Sequence, residues 1–296
     1  MTCSLDRARA ALLAMALCVL GLAGSVRAQQ QPDVPYVQTP RNVVEAMLDA
    51  GRVTANDYVI DLGSGDGRLV IAASRRGARA TGVELDANLV ATATREAARS
   101  GEGGKANFVN ANLFTFDFSK ATVLTMYLLP HINLDLRPRI LSGLRPGTRV
   151  VSHDFDMGKW RPDLRREIAV PDKVYGPPVS QVYMWYVPAN VAGKWQWRLP
   201  VGDGGVRHEV TFRQAFQQLS ADAAIESGSA TIEGVKLQGD AIAFTLVHNS
   251  AGRKVAYEFS GRVDGDKIAG SVKTGGDDKT YDWQATRFAR GQMSIE

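Results

Sequence analysis

The sequence predicts two parts: an α/β domain with helices on both faces of a parallel sheet, then a small all-β domain, sandwich or barrel. Three observations point there. Strand-type and helix-type runs alternate between residues 43 and 152, and a glycine-rich turn joins the first strand directly to a helix at residues 61–68. Beyond residue 188 the pattern changes to short β-type runs divided by glycine turns. Strands separated by helix-length stretches need crossover connections, which parallel sheets use, whereas closely spaced short strands favour antiparallel pairing.

Taken in order, residues 43–50 read as a helix with Val44, Met47 and Leu48 on one face. Residues 58–62 are a short β-rich run that ends in glycines, and residues 69–76 a helix. A second strand covers 78–83, an alanine-rich helix 88–99, a third strand 106–109 and a fourth 122–128. A helix over 132–144 and a fifth strand over 149–152 complete the alternation. Residues 168–174 and 182–187 follow with no helix between them and read as an antiparallel hairpin. In the second part, short β-type runs fill the chain from Lys194 onward, for example at 235–237, 241–247, 255–259, 268–272 and 281–285, separated by turns such as Asp264-Gly265-Asp266. Trp195, Trp197, Phe244, Tyr257, Phe259 and Trp283 are its expected core.

The chain of 296 residues is 45% hydrophobic and 22% charged, a globular balance. Arg7 and Arg9, an apolar run over residues 10–23, and Val26-Arg27-Ala28 form the three parts of a secretory signal peptide, with cleavage expected before Gln29. The apolar run is shorter than the ~20 residues of a membrane span. An uncleaved membrane anchor is the alternative. The domains are therefore read as 1–28 signal peptide, 29–190 ligand-binding domain and 194–290 β domain, in a periplasmic or secreted protein. Both cysteines, Cys3 and Cys18, fall in the leader, so the mature chain would form no disulfide and use no thiolate. The leader also carries half of the formal net charge of +4. What remains is scattered, which argues against a nucleic-acid partner. His131, His153, His208 and His248 are too dispersed to predict a metal site.

The glycine turn carries the chemistry. Val59-Ile60-Asp61-Leu62 delivers the chain to Gly63-Ser64-Gly65-Asp66-Gly67, and a helix begins at once. Glycines there permit positive φ and close backbone approach, and the helix start presents unpaired N–H groups. A dinucleotide turn has the spacing G-x-G-x-x-G. Here the third glycine comes one residue early and Arg68 occupies the final position, which favours a ligand without a phosphate, S-adenosylmethionine. Asp61 would hold the amino-acid end of that cofactor. Glu84, about twenty residues past the first glycine at a strand end, suits hydrogen bonds to both ribose hydroxyls. Asn112 follows the third strand, where many methyltransferases carry an acidic residue that accepts from the adenine amino group; asparagine departs from that pattern but can still accept through its carbonyl oxygen.

Several blocks together resemble the seven-β-strand lysine methyltransferases of the mitochondrial family, which modify the ATP synthase c-subunit and the adenine nucleotide translocase. They are Val34-Pro35-Tyr36-Val37-Gln38-Thr39-Pro40, Asp61 to Arg68, Gly82-Val83-Glu84-Leu85, Tyr127-Leu128-Leu129-Pro130, and the stretch 155–160. The resemblance spans about residues 34–162. It implies a Rossmann-like methyltransferase domain, S-adenosylmethionine as cofactor, and a protein lysine or another amine as acceptor. It places Tyr36 and Thr39 in a segment closing over the cofactor. Tyr127 and Pro130 would stand where the acceptor meets the methyl group. The Asp/Asn-Pro-Pro-aromatic motif of many amine methyltransferases is absent. An exported module that binds the cofactor without catalysis is the alternative function.

Overall fold

The computed structural model describes residues 36–174, 176–199, 205–226, 228–250, 252–274 and 279–295. The signal-peptide expectation, and Val34 and Pro35 of the lead, lie outside them. The first part contains α1 (Arg41–Ala50), β1 (Tyr58–Leu62), α2 (Arg68–Arg75), β2 (Arg79–Glu84), α3 (Ala87–Arg99), β3 (Ala106–Asn110), β4 (Val123–Met126), α4 (Pro130–Gly143), β5 (Arg149–His153), β6 (Leu164–Ala169) and β7 (Val179–Tyr186). They form one seven-stranded sheet in the order β3-β2-β1-β4-β5-β7-β6. β1 to β5 run parallel, and β7 lies antiparallel between β5 and β6.

The central strands are buried on both faces, which is why β1 and β4 read as nearly continuous apolar runs. α1 covers one face with Val43, Val44, Met47 and Leu48, the spacing of a single helical stripe. α3 approaches the sheet on Ala93 and Ala97, whose small side chains let its axis come close. On the other face α4 buries Ile132, Leu136, Ile140 and Leu141. Among the described residues no helix is long and apolar enough to cross a membrane.

Three boundaries differ from expectation. β4 stops at Met126, and α4 begins at Pro130 rather than 132. Proline at the first helical position costs no hydrogen bond, and it holds the preceding Leu129 extended at ψ 153°, so strand and helix meet sharply there. The hairpin strand expected over 168–174 lies at Leu164–Ala169. Pro171 has no N–H for the ladder, and the charged Arg165, Arg166 and Glu167 are tolerated because β6 is a sheet edge.

The second part is a closed antiparallel barrel of eight strands, which decides between sandwich and barrel. Its strands are β8 (Gly193–Arg198), β9 (Arg207–Ala215), β10 (Gln218–Ile225), β11 (Gly228–Gln238), β12 (Ala241–Ser250), β13 (Arg253–Asp264), β14 (Lys267–Thr274) and β15 (Thr280–Arg290). Pairing of β15 with β8 completes the ring and removes the exposed edges. The strands run longer than their apolar cores because outward residues alternate with inward ones, as in β13. The expected aromatic core is observed, with Phe244 stacked on Phe259 at 4.9 Å and Trp283 edge-on to Phe259 at 4.7 Å.

Candidate active site

At the carboxyl ends of β1 and β2 the chain makes three left-handed excursions in five residues. Gly63, Gly65 and Gly67 have φ of 74°, 54° and 80°. A side chain at such a φ costs roughly 1–2 kcal/mol. Space enforces the same choice: a Cβ on Gly65 would lie 2.4 Å from the Tyr36 ring, and one on Gly67 would lie 2.6 Å from Phe108. The turn hangs on Val83, whose carbonyl accepts from the N–H groups of Gly63 and Ser64. Ser64 points inward against Gly82, and its buried hydroxyl has no hydrogen-bond partner among the described residues.

Glu84 fastens the turn from the next strand. Its Oε2 accepts from the Gly65 N–H at 2.9 Å, while Oε1 accepts from Leu85 and Asp86 at 2.8 and 3.0 Å. Each carboxylate oxygen takes about two donors, so Oε2 keeps acceptor capacity. Asp61 lies buried beneath the turn and accepts from Thr125 Oγ1 at 2.7 Å. Burial pushes its carboxyl up to about 7, against the Thr125 hydrogen bond and with help from the negative charges of Glu84 and Asp66. A cation arriving here would restore the ionised form.

The lead of the domain is pinned over this turn. Arg68 grips the Asp66 carboxylate through Nε and Nη2 and donates from Nη1 to the Thr39 carbonyl at 2.8 Å. Burial acts to raise the Asp66 pKa, but the hydrogen bonds and charge of Arg68 outweigh it and hold the pKa below the usual carboxylate value. Asp66 thus spends its carboxylate on Arg68. Arg68, which displaces the glycine of a dinucleotide turn, clamps turn to lead. Tyr36 lies across Gly65 with its ring half exposed. Asn112 sits past β3 and accepts from the Phe114 N–H at 2.8 Å, which leaves its amide N–H groups and one lone pair available.

A second group of side chains stands at the ends of β4 and β5. The Tyr127 ring lies 3.9 Å from His153 and is stacked 6.2 Å from Phe155. Burial, together with the adjoining Asp154 carboxylate, pushes the Tyr127 hydroxyl up to about 12, so it stays protonated. His153 is buried between Thr39 Oγ1 at 3.3 Å and Ser180 Oγ at 2.9 Å. Burial lowers its pKa to about 4, reinforced by Lys173 and opposed by Asp154, so the imidazole is neutral. Asp154 has φ 60°, unusual for a non-glycine residue, and accepts from Lys173 Nζ at 2.7 Å and the Gln181 N–H at 2.9 Å. Strain of this kind concentrates at functional sites.

The structure therefore brings Thr39, Tyr127, His153 and Asp154 together. Pro130 is exposed and opens α4. Sequence reasoning missed Lys173 and Ser180, which reach the group from the β6–β7 hairpin. A lysine in a polar turn that also holds prolines carries no local sign of such a partner. A cavity of about 550 Å³ lies at the opposite ends of the strands, lined in part by Asp57, Arg149, Asp240 and Arg262. These four charges are matched within the protein, Arg149 to Asp57 and Arg262 to Asp240.

Residues 61–164 match the family model of the ANTKMT methyltransferase domain. A protein-lysine N-methyltransferase from Saccharolobus islandicus is 44% identical over 133 residues, covering 44% of this chain and 83% of that protein. The chain belongs to the ANTKMT methyltransferase family. The adenine nucleotide translocase lysine N-methyltransferase of Mus musculus is 35% identical over 130 residues, 44% of this chain and 56% of that protein. The chain thus spans about half the length of that curated relative. A solved RNA methyltransferase from Salinibacter ruber, in complex with S-adenosyl-L-homocysteine, is 45% identical, covering 52% of this chain and 96% of that chain at TM-score 0.48.

This ANTKMT-family methyltransferase is an S-adenosylmethionine-dependent enzyme. Its residues fit the cofactor. The three left-handed glycines bring bare backbone to the carboxyl end of β1, Glu84 Oε2 retains acceptor capacity, and among the described residues no cation pairs with the buried Asp61 carboxyl.

Proposed function

We propose that the chain transfers the methyl group of S-adenosylmethionine to the side-chain amine of a protein lysine. The observation that carries this reading is the cluster at the ends of β4 and β5, where aromatic walls meet a carboxylate within a domain 44% identical to a protein-lysine methyltransferase.

Asp61 would hold the cofactor's ammonium, Glu84 its ribose hydroxyls, and Asn112 its adenine amino group. Tyr36 and Thr39 would close the lead over it. The cofactor supplies an already electrophilic methyl group, so the protein's task is alignment, which can contribute ~7–11 kcal/mol. Tyr127 and Phe155 would form apolar walls that disfavour the ammonium form of the acceptor and favour the nucleophilic amine. Neutral His153 adds no competing positive charge there. The Tyr127 hydroxyl oxygen and the Asp154 carboxylate would accept from the N–H groups of the amine, which leaves its lone pair to face the methyl group. Pro130 fixes the strand-to-helix corner behind Tyr127.

The leader read at residues 1–28 supports a periplasmic or secreted site of action. Fusing residues 1–40 to a reporter active only outside the cytoplasm tests that, and a silent reporter would overturn it. For the activity, S-adenosylhomocysteine is titrated by calorimetry into the wild type and Glu84→Ala. The variant should bind roughly 10- to 100-fold more weakly, as expected for lost hydrogen bonds to a charged group. Incubation with methyl-labelled cofactor and an envelope protein extract, followed by amino-acid analysis, should yield methyl-lysine. Intact cofactor binding without methyl-lysine would overturn lysine as the acceptor.

A further inference from the structure

The barrel lies beyond the segment that matches the family, yet one of its residues is buried in the methyltransferase core. Phe216 sits at the tip of the two-residue turn between β9 and β10 with φ 53°. Hairpins favour glycine at such a position. The ring is only 5% exposed, and it stacks on Trp160 at 6.3 Å with 7° between planes. Arg137 lies 5.4 Å from its centroid. Burial of the phenylalanine ring offsets the cost of the left-handed backbone.

Both partners of Phe216 hold the loop that follows β5. Arg137 Nη1 donates to the Met157 carbonyl at 2.8 Å, and Trp160 forms a bridge with Met157. Gln217, beside Phe216, donates to the Arg161 carbonyl at 2.6 Å. The loop has little secondary structure of its own, and at its start are Asp154 and Phe155. From α4, Asn133 secures the carbonyls of Phe155 and Asp156. The tip itself is braced by Gln214, which bonds Val191, Ala189 and the Phe216 carbonyl.

We infer that the barrel is a built-in positioning element of the methyltransferase, with Phe216 propping the loop over residues 154–161 and so setting the acceptor side of the site. Phe216 is a positioning residue acting through Trp160 and Arg137. The turnover arm of its test rests on the lysine-transfer reading; the exchange arm does not.

The full chain is compared with Phe216→Gly, which suits the backbone of the turn while deleting the ring, and with Phe216→Leu. Hydrogen exchange of residues 154–161 should rise at least about tenfold in the glycine variant, as expected when packed structure becomes locally open. S-adenosylhomocysteine affinity should stay within about twofold, and kcat for methyl transfer to a synthetic lysine-rich peptide should fall about 10- to 100-fold, the scale of a small misplacement. Leucine should fall between. Unchanged exchange in the loop would overturn the inference, as would an equal loss of cofactor affinity and turnover. A wild type that transfers no methyl to the peptide would count against the acceptor reading alone, since the exchange result still decides the role of Phe216. Should Phe216→Gly fail to fold, Phe216→Leu and Gln217→Ala provide the same comparison.

Discussion

The two ends of the active site are held in different ways. At the cofactor end the geometry is set by backbone: three left-handed glycines, a Val83 carbonyl that takes two N–H groups, and a Glu84 carboxylate that takes three. At the end proposed for the acceptor it is set by side chains from distant segments, with Thr39, Tyr127, His153, Asp154, Lys173 and Ser180 meeting across the tips of three strands. A backbone-built site is stiff and suits a ligand that is the same in every turnover. A site built from side chains can be changed one residue at a time, which suits an acceptor that differs among relatives.

The sharpest way to break this contrast is at Gly65. Gly65→Ala should weaken S-adenosylhomocysteine binding roughly 100-fold by calorimetry, because the left-handed backbone resists a Cβ and the new methyl group would collide with the Tyr36 ring that lies over the turn. Binding within threefold of wild type would show the turn to be less rigid than its geometry indicates.

Next in size is a pH effect at Asp61. Its pKa, raised from 3.8 to about 7, favours the neutral form in the folded, cofactor-free protein. That contribution to stability is fully present below pH 3.8 and is lost as pH rises through about 7. A cationic cofactor needs the ionised form, so affinity should fall about tenfold between pH 8 and pH 6 and flatten above pH 7. Asp61→Asn should remove the pH dependence, bind more weakly, and raise the Tm at pH 8. A titration in which wild type and variant share one pH profile would discount Asp61.

At the acceptor end, Asp154→Asn should lower kcat about tenfold while cofactor affinity stays within about twofold, since charged hydrogen bonds there exceed neutral ones by 1 kcal/mol or more. A parallel loss of cofactor binding would show the two ends to be coupled. The smallest effect is expected at Asn112→Asp. Replacing a neutral acceptor with a charged one should tighten cofactor binding about two- to fivefold, if Asn112 faces the adenine amino group.

The same contrast separates what the sequence shows from what it hides. The glycine turn, Asp61 and Glu84 were legible because each answers a local demand: positive φ, a strand end, a fixed interval. Arg68 was visible as a departure from a motif, but its clamp on the Thr39 carbonyl needed the fold. Lys173 lies nineteen residues from Asp154, in a turn whose composition suggests only loop. β9 and β10 read less clearly as strands because polar and alanine residues fill their outward positions. Phe216 reads as an ordinary apolar residue, and nothing in its neighbours signals that it belongs to another core.

By itself the sequence determined the order of strands and helices, the break near residue 188, and a turn suited to S-adenosylmethionine. These follow from periodicity and from the φ that only glycine adopts readily, both properties of a few adjacent residues. Tertiary structure alone decided that the β part closes into a barrel, that Lys173 and Ser180 join the side-chain cluster at the ends of β4 and β5, and that Phe216 packs on Trp160. Such contacts join residues far apart in the chain. Their energy comes from burial and pairing in the folded state, which no local pattern records.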